Sequence, residues 1–81
     1  MTRVGSLIKK HRHRQQITQA SIATQLGFST IQFISNLERG IALVPDNKIK
    51  KLCKLLDLQP KVMCDAKLKD LGEAMYKRVG I

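Results

Sequence analysis

Apolar residues recur along this chain at intervals of three and four, and no stretch of any length alternates every second position. The pattern therefore predicts helices and no strands. Val4, Leu7 and Ile8, with His11 continuing the stripe, define a first helix from about Thr2, which suits an N-cap, to about Gln15. A second begins after Thr18, turns Ile22, Ala23 and Leu26 inward, and stops at Gly27, the residue best able to leave a helix with positive φ. The third begins near Ser29 or Thr30, either able to cap it, and buries Phe33, Ile34 and Leu37 before Gly40 ends it. Pro45 and Pro60, the two prolines, each precede a periodic run and mark helix starts, where a missing N–H costs nothing. Ile49, Leu52, Cys53 and Leu56 give the fourth helix its face, to about Leu56. The fifth extends from Pro60 to about Arg78, with a stripe of Cys64, Leu68, Leu71 and Met75. The expected fold is all-α, one compact five-helix domain.

With 81 residues the chain supports one domain with a thin core. The fifth helix carries more apolar surface than so small a core needs. Met63, Cys64, Leu68, Leu71, Met75 and Tyr76 are accordingly expected at an interface with a second copy or a partner protein.

Charge changes the picture further. The net charge is +9, from 15 Lys and Arg against 6 Asp and Glu. All five basic residues of positions 1 to 37 (Arg3, Lys9, Lys10, Arg12, Arg14) stand without a single acid, so the first half is the electropositive one. A polyanion is the natural partner of such a surface. Neither Cys53 nor Cys64 has a second Cys or His at zinc-finger spacing, and His11 and His13, two apart on a helix, face different ways, so no metal site is expected. Both cysteines read as reduced core or interface residues. No run approaches the ~20 apolar residues of a membrane span and the first residues lack a signal peptide's apolar stretch, which leads to the expectation of a cytoplasmic protein. No nucleophile–base pair or paired acids can be assembled, so neither an enzyme nor a cofactor is expected.

The segment TQASIATQLGFSTIQFISNLERG, residues 18 to 40, carries the function. Two short helices joined by a tight turn need a small residue at their crossing, a glycine to turn the chain and aliphatics to clamp the pair. Ala23, Gly27 and the set Ile22, Leu26, Ile34 and Leu37 supply these. On Thr18, Gln19, Ile22, Ala23, Leu26 and Gly27, then Ile34, Ser35, Leu37, Glu38, Arg39 and Gly40, the segment resembles the helix-turn-helix of the phage repressor and Cro-like family, also called the xenobiotic-response-element family. The resemblance covers residues 4 to 58. It implies a repressor-like unit over residues 1 to 58; the C-terminal helix, 59 to 81, lies outside the shared motif and is expected from its surplus apolar surface to serve dimerisation or a partner. Between Gly27 and Glu38 the chain has one residue more than the commonest form of the family, which Ser29-Thr30-Ile31 would absorb in a longer turn.

Gln and Asn bond bidentately to adenine in the major groove. Gln32 and Asn36, four apart and opposite Ile34 and Leu37, are therefore the leading candidates for base contacts, with Thr30, Ile31 and Ser35 beside them and Ile31 suited to a thymine methyl. Gln19, at a helix N-terminus, is expected to hold a backbone phosphate, as its counterpart does in the family. Ser29, Arg39, Lys48 and Lys51 join it as phosphate candidates, ahead of Lys50 and Lys54. The family resemblance also implies a structural salt bridge between Arg12 and Glu38. The expectation is a transcriptional regulator, most simply a repressor, that reads double-stranded DNA as a homodimer. The rival is an antitoxin or adaptor that holds a partner protein through its last helix and autoregulates its own operon. RNA binding is disfavoured because Phe28, Phe33 and Tyr76 are the only aromatics for stacking.

Overall fold

The computed structural model describes residues 2–80, and these form five helices with no strand among them: α1 (Arg3–Arg14), α2 (Gln19–Leu26), α3 (Gln32–Arg39), α4 (Asp46–Leu56) and α5 (Pro60–Val79). The chain is all-α, as its periodicity predicts. Ile8, Ile22, Leu26, Ile34, Leu37, Val44, Leu52, Cys53, Leu56 and Met63 are buried in one core to which every helix contributes. Helix α1 packs on α3, α4 and α5, while α2 packs on α3 and α4.

Local chemistry sets most of the helix ends. Thr2 caps α1, its hydroxyl accepting from the Gly5 amide at 3.0 Å, and Thr18 does the same for α2 through Ser21 at 3.0 Å. Gly27 leaves α2 at φ 81°, which lets the Phe28 amide bond back to the Ala23 carbonyl at 2.8 Å. Helix α4 starts after Pro45 and α5 on Pro60.

The third helix departs from expectation. Neither Ser29 nor Thr30 caps it: α3 begins at Gln32, preceded by Ile31, and has no side-chain cap at all. Ser29 and Thr30 belong to the five-residue connection between the two helices, residues 27–31. Phe28 and Phe33 anchor that connection, their ring centroids 4.5 Å apart, and both pack on the core. A capping side chain is only permissive; the depth at which Ile34 and Leu37 seat decides where the helix starts.

In the fifth helix the departure lies at Met63. Met63 and Ala66 are the residues it buries, with Met63 wholly enclosed, so Met63 belongs to the core and not to a free face. Cys64, Leu68, Leu71 and Met75 are exposed. The inward face continues as polar side chains. Lys67 donates to the Val44 carbonyl at 2.7 Å and to Asp46 Oδ1 at 2.6 Å, and Asp70 accepts from the backbone amides of Arg3 and Val4, each at 3.0 Å. Asp70 thereby neutralises free N–H groups at the start of α1 that Thr2 does not reach.

Helices α1 and α3 meet at Gly5. A Cβ there would overlap the Glu38 carbonyl oxygen and lie 2.9 Å from that of Leu37, so only glycine permits this approach. It brings Arg12 of α1 beside Glu38 of α3.

Candidate nucleic-acid interface

Glu38, only 4% exposed, is the buried charged residue of the core. Arg12 Nε donates to its Oε2 at 2.7 Å and Arg12 Nη2 to its Oε1 at 3.2 Å, while Arg12 Nη1 donates to the Ile17 carbonyl at 3.0 Å. Gln19 Nε2 also donates to Glu38 Oε1, at 3.2 Å. One carboxylate thus joins the end of α1, the first residue of α2 and the last turn of α3. A buried charge survives only when so fully paired, and here the pairing fixes the orientation of α3 against the two helices behind it.

The outer side of α3 is free of the core. Ile31 is 51% exposed, Gln32 is exposed, and Ser35 and Asn36 are half-buried. Gln32 Nε2 donates to Asn36 Oδ1 at 3.0 Å, so the two amides form a connected pair. Asn36 is less open than Gln32, and its carbonyl accepts from the Ile41 amide at 2.9 Å and the Ala42 amide at 3.2 Å just beyond the end of α3. Ser29 and Thr30 are exposed in the connection that leads into this surface.

Two flanks adjoin it. On one, a cleft of about 500 Å³ is lined by Lys9, Arg12, Gln19, Ser35, Glu38 and Arg39, which brings together Gln19, Ser35 and Arg39 from the sequence-predicted set. Gln19 there has one amide hydrogen committed to Glu38 and keeps its oxygen and the other hydrogen. On the other flank Lys48 Nζ lies 5.8 Å from the Phe28 ring centroid, which draws the first turn of α4 to the connection before α3. Lys51 stands apart from both, in a broader cleft with Gln25, Asn47, Lys50, Lys54 and Leu55. Lys9 was not among the sequence candidates. Its position three residues before Arg12, on the same helix face, is the signal that could have found it.

Cys64, Leu68 and Leu71 lie far from the amide pair in the chain and line a depression with Asp46, Ile49 and Lys67. Met75 is 53% exposed one turn beyond Leu71. Among the described residues no group of three or more His, Cys, Asp or Glu could hold a metal ion, and no helix is long and apolar enough to cross a membrane.

A family model described as helix-turn-helix matches residues 8–62, more than half of the chain and all of α2, α3 and α4. The chain belongs to the helix-turn-helix family. No curated protein matches it. The family is one of DNA-binding regulatory domains and not of enzymes, which makes this helix-turn-helix protein a DNA-binding transcription regulator. The match spans the Arg12–Glu38–Gln19 junction and the exposed side of α3, and stops within the first turn of α5.

Proposed function

We propose that this chain is a sequence-specific repressor that binds double-stranded DNA as a homodimer and reads the major groove with α3. The observation that carries the reading is the polar outer side of α3, Gln32 and Asn36 with Ile31 at its N-terminal end, on a helix clamped from behind by the buried Arg12–Glu38–Gln19 junction. A reading helix must hold its side chains in register with base edges, and a clamp that cannot rotate supplies that register. Ile31 then meets a thymine methyl, and Thr30 and Ser35 complete the base-facing set. Gln19 and Arg39 hold phosphates on one flank of the groove. Ser29 and Lys48 hold them on the other, and Lys51 reaches a phosphate further along the backbone, all positioning the domain without specifying sequence. The exposed side of α5, with Cys64, Leu68, Leu71 and Met75, joins the two copies.

Fluorescence anisotropy tests the reading. The purified protein is titrated with the DNA flanking its own gene and with a scrambled duplex, at several salt concentrations, beside a Gln32→Ala/Asn36→Ala variant. A preference for the flanking DNA of about a hundredfold or more fits the gap between specific and non-specific binding expected of an operator reader. The double variant should lose that preference while keeping the salt dependence, because its phosphate ligands are untouched. Equal binding of both duplexes by the parent protein would remove sequence-specific reading of the DNA beside its own gene, and binding of neither would direct attention to a partner protein on α5.

A further inference from the structure

Helices α1 and α5 leave a groove of about 540 Å³ between them. Its floor is apolar: Leu7 is half-buried, Ala66 is buried and Val62 stands 42% exposed. Lys10 of α1 and Lys69 of α5 border it, both exposed, and Asp65 is the one acid among the residues that line it. Arg3, at the same groove, is taken up by Asp70 and Glu73. Among the described residues the ion pairs are those of Arg3, Arg12 and Lys67, so the charges of Lys10 and Lys69 are unmatched.

We propose that this groove is a docking site for a short acidic, amphipathic helix of a partner protein, its apolar side on Leu7, Val62 and Ala66 and its carboxylates beside Lys10 and Lys69. A groove between two helices accepts a third whose apolar residues recur at three and four, and flanking charges of opposite sign set its orientation. From Val62 to Lys69 the groove follows α5 for about 10 Å, at a rise of about 1.5 Å per residue, which is two turns of such a helix.

The charge on both sides selects the occupant. A second copy has no acidic segment to offer. Of the six acids in the chain, Glu38, Asp46, Asp70 and Glu73 are already paired, and the net charge of +9 sets one copy against another here. Duplex DNA matches the lysines but not the floor, where Leu7, Val62 and Ala66 have no side-chain donor for a phosphate.

The groove also stands clear of the other two surfaces. Leu7 and Lys10 are each two positions before Lys9 and Arg12, and residues two apart on a helix face nearly opposite ways, so a duplex on α3 leaves the groove open. On α5, Val62, Asp65 and Lys69 lie to one side of the buried Met63, and Cys64, Leu68 and Leu71 to the other. The partner therefore adds to a DNA-bound protein without displacing the DNA, whichever bases α3 reads.

A displayed pool of random peptides about 15 residues long, roughly four helical turns, tests this. It is selected on the purified full chain with mixed-sequence duplex DNA in excess, so that the DNA-binding face is occupied. An enriched peptide is then synthesised, labelled and titrated by anisotropy against the parent and its variants. Enriched peptides should carry more Asp and Glu than the starting pool, with Leu, Ile or Met recurring at three and four. Lys10→Glu/Lys69→Glu should weaken their binding by about tenfold or more, because two attractions become repulsions, and Asp65→Asn should tighten it by about twofold. Val62→Asp should weaken it as much as the lysine reversals do. Leu71→Glu, on the far side of α5, should leave it unchanged. All these positions are exposed, and thermal melts equal to the parent's will show that each variant is folded. A pool that enriches nothing, enriched peptides without the acidic excess, or equal affinity for the parent and the Lys10→Glu/Lys69→Glu variant would overturn the proposal. Peptides retained only when the duplex is left out would be mimics of DNA on the α3 side, and loss of binding in Leu71→Glu would move the site to the other side of α5; either result would overturn it as well.

Discussion

Glu38 is the residue on which the site depends most. Truncating one partner of a buried ion pair leaves the other charge without compensation, and Glu38→Ala strands the Arg12 guanidinium while releasing Gln19. The expected cost is about 3–5 kcal/mol in urea unfolding, a large part of the stability of so small a domain. Glu38→Gln keeps an acceptor for Arg12 and should cost less; equal costs for both would mean that the charge contributes nothing beyond the hydrogen bonds. The pairing of Arg12 with Glu38 was legible in the sequence through the resemblance. The amide of Gln19 joining them was not, because a glutamine at a helix N-terminus reads as a phosphate ligand until its neighbours are seen. The two cysteines divide similarly. Burial pushes the Cys53 thiol above the ordinary cysteine range, with the nearby Cys64 adding to it, whereas Cys64 is exposed. A thiol whose pKa is raised by folding keeps its proton longer in the folded state than in the unfolded one. Its contribution to stability is therefore full below the unfolded pKa and declines as pH rises from there toward the folded pKa. Cys53→Ala should flatten that alkaline decline in a series of unfolding curves. In a monomer, where the α5 face is open, a thiol reagent should modify Cys64 rapidly and Cys53 only at the rate of opening, and two fast sites would contradict the burial of Cys53.

The helices show where sequence suffices and where it stops. Thr2, Thr18, Gly27, Pro45 and Pro60 act on their immediate neighbours, so five helix boundaries could be read from local chemistry alone. The start of α3 could not: Ser29 and Thr30 are both able to cap, but neither does, and the start follows the seating of Ile34 and Leu37 in the core. In α5 the stripe of Cys64, Leu68, Leu71 and Met75 was visible as surface the core does not use, but the side that does pack inward was not. Ala66 lets the helix approach the core on one side, and Lys67 and Asp70, which look like a solvated face, continue that side by bonding to the α3–α4 connection and to α1. Asp70 is 66 and 67 residues from the amides it caps, a distance over which no periodicity carries information. Its removal should behave as the loss of a helix cap. Asp70→Ala is expected to cost about 1–2 kcal/mol, a fall of several degrees in thermal midpoint, and Asp70→Asn, which keeps an acceptor, should cost less. Glu73→Ala is the control. Its carboxylate pKa is lowered by the hydrogen bond from Arg3, but the pair is exposed and screened, so its removal should not move the midpoint measurably. An equal effect at Asp70 and Glu73 would mean that surface charge, and not the capping of α1, ties α5 to the domain.

At the scale of the whole molecule, charge and apolar surface occupy different places. Lys9, Arg39 and Lys48 flank the exposed side of α3, whereas Leu68 at 68%, Leu71 at 41%, Met75 at 53% and Tyr76 at 55% exposed lie along α5. The molecule is elongated, 39 Å by 24 Å by 22 Å, and the second half of α5 buries none of its residues. Ordering a helix of 20 residues while leaving its last turns unburied has little support from a single copy, since helices depend on tertiary packing of their apolar face. The second copy proposed on α5 would supply that packing. It would also supply the second reading helix that the proposed recognition of two half-sites about 34 Å apart requires. Two separable consequences follow. Leu71→Glu/Met75→Glu should convert a dimer to a monomer in sedimentation equilibrium, and should weaken operator binding strongly while leaving the base preferences of each half-site intact. Arg39→Ala and Lys48→Ala should leave the dimer whole and make the salt dependence shallower, by about 0.9 in the slope of log K against log salt for each phosphate no longer neutralised, twice over in a symmetric dimer. A parent protein that sediments as a monomer at every concentration and still binds a two-half-site operator with full affinity would sink the interface on α5. An Arg39→Ala slope equal to the parent's would instead remove Arg39 from the set of phosphate ligands and leave the dimer standing.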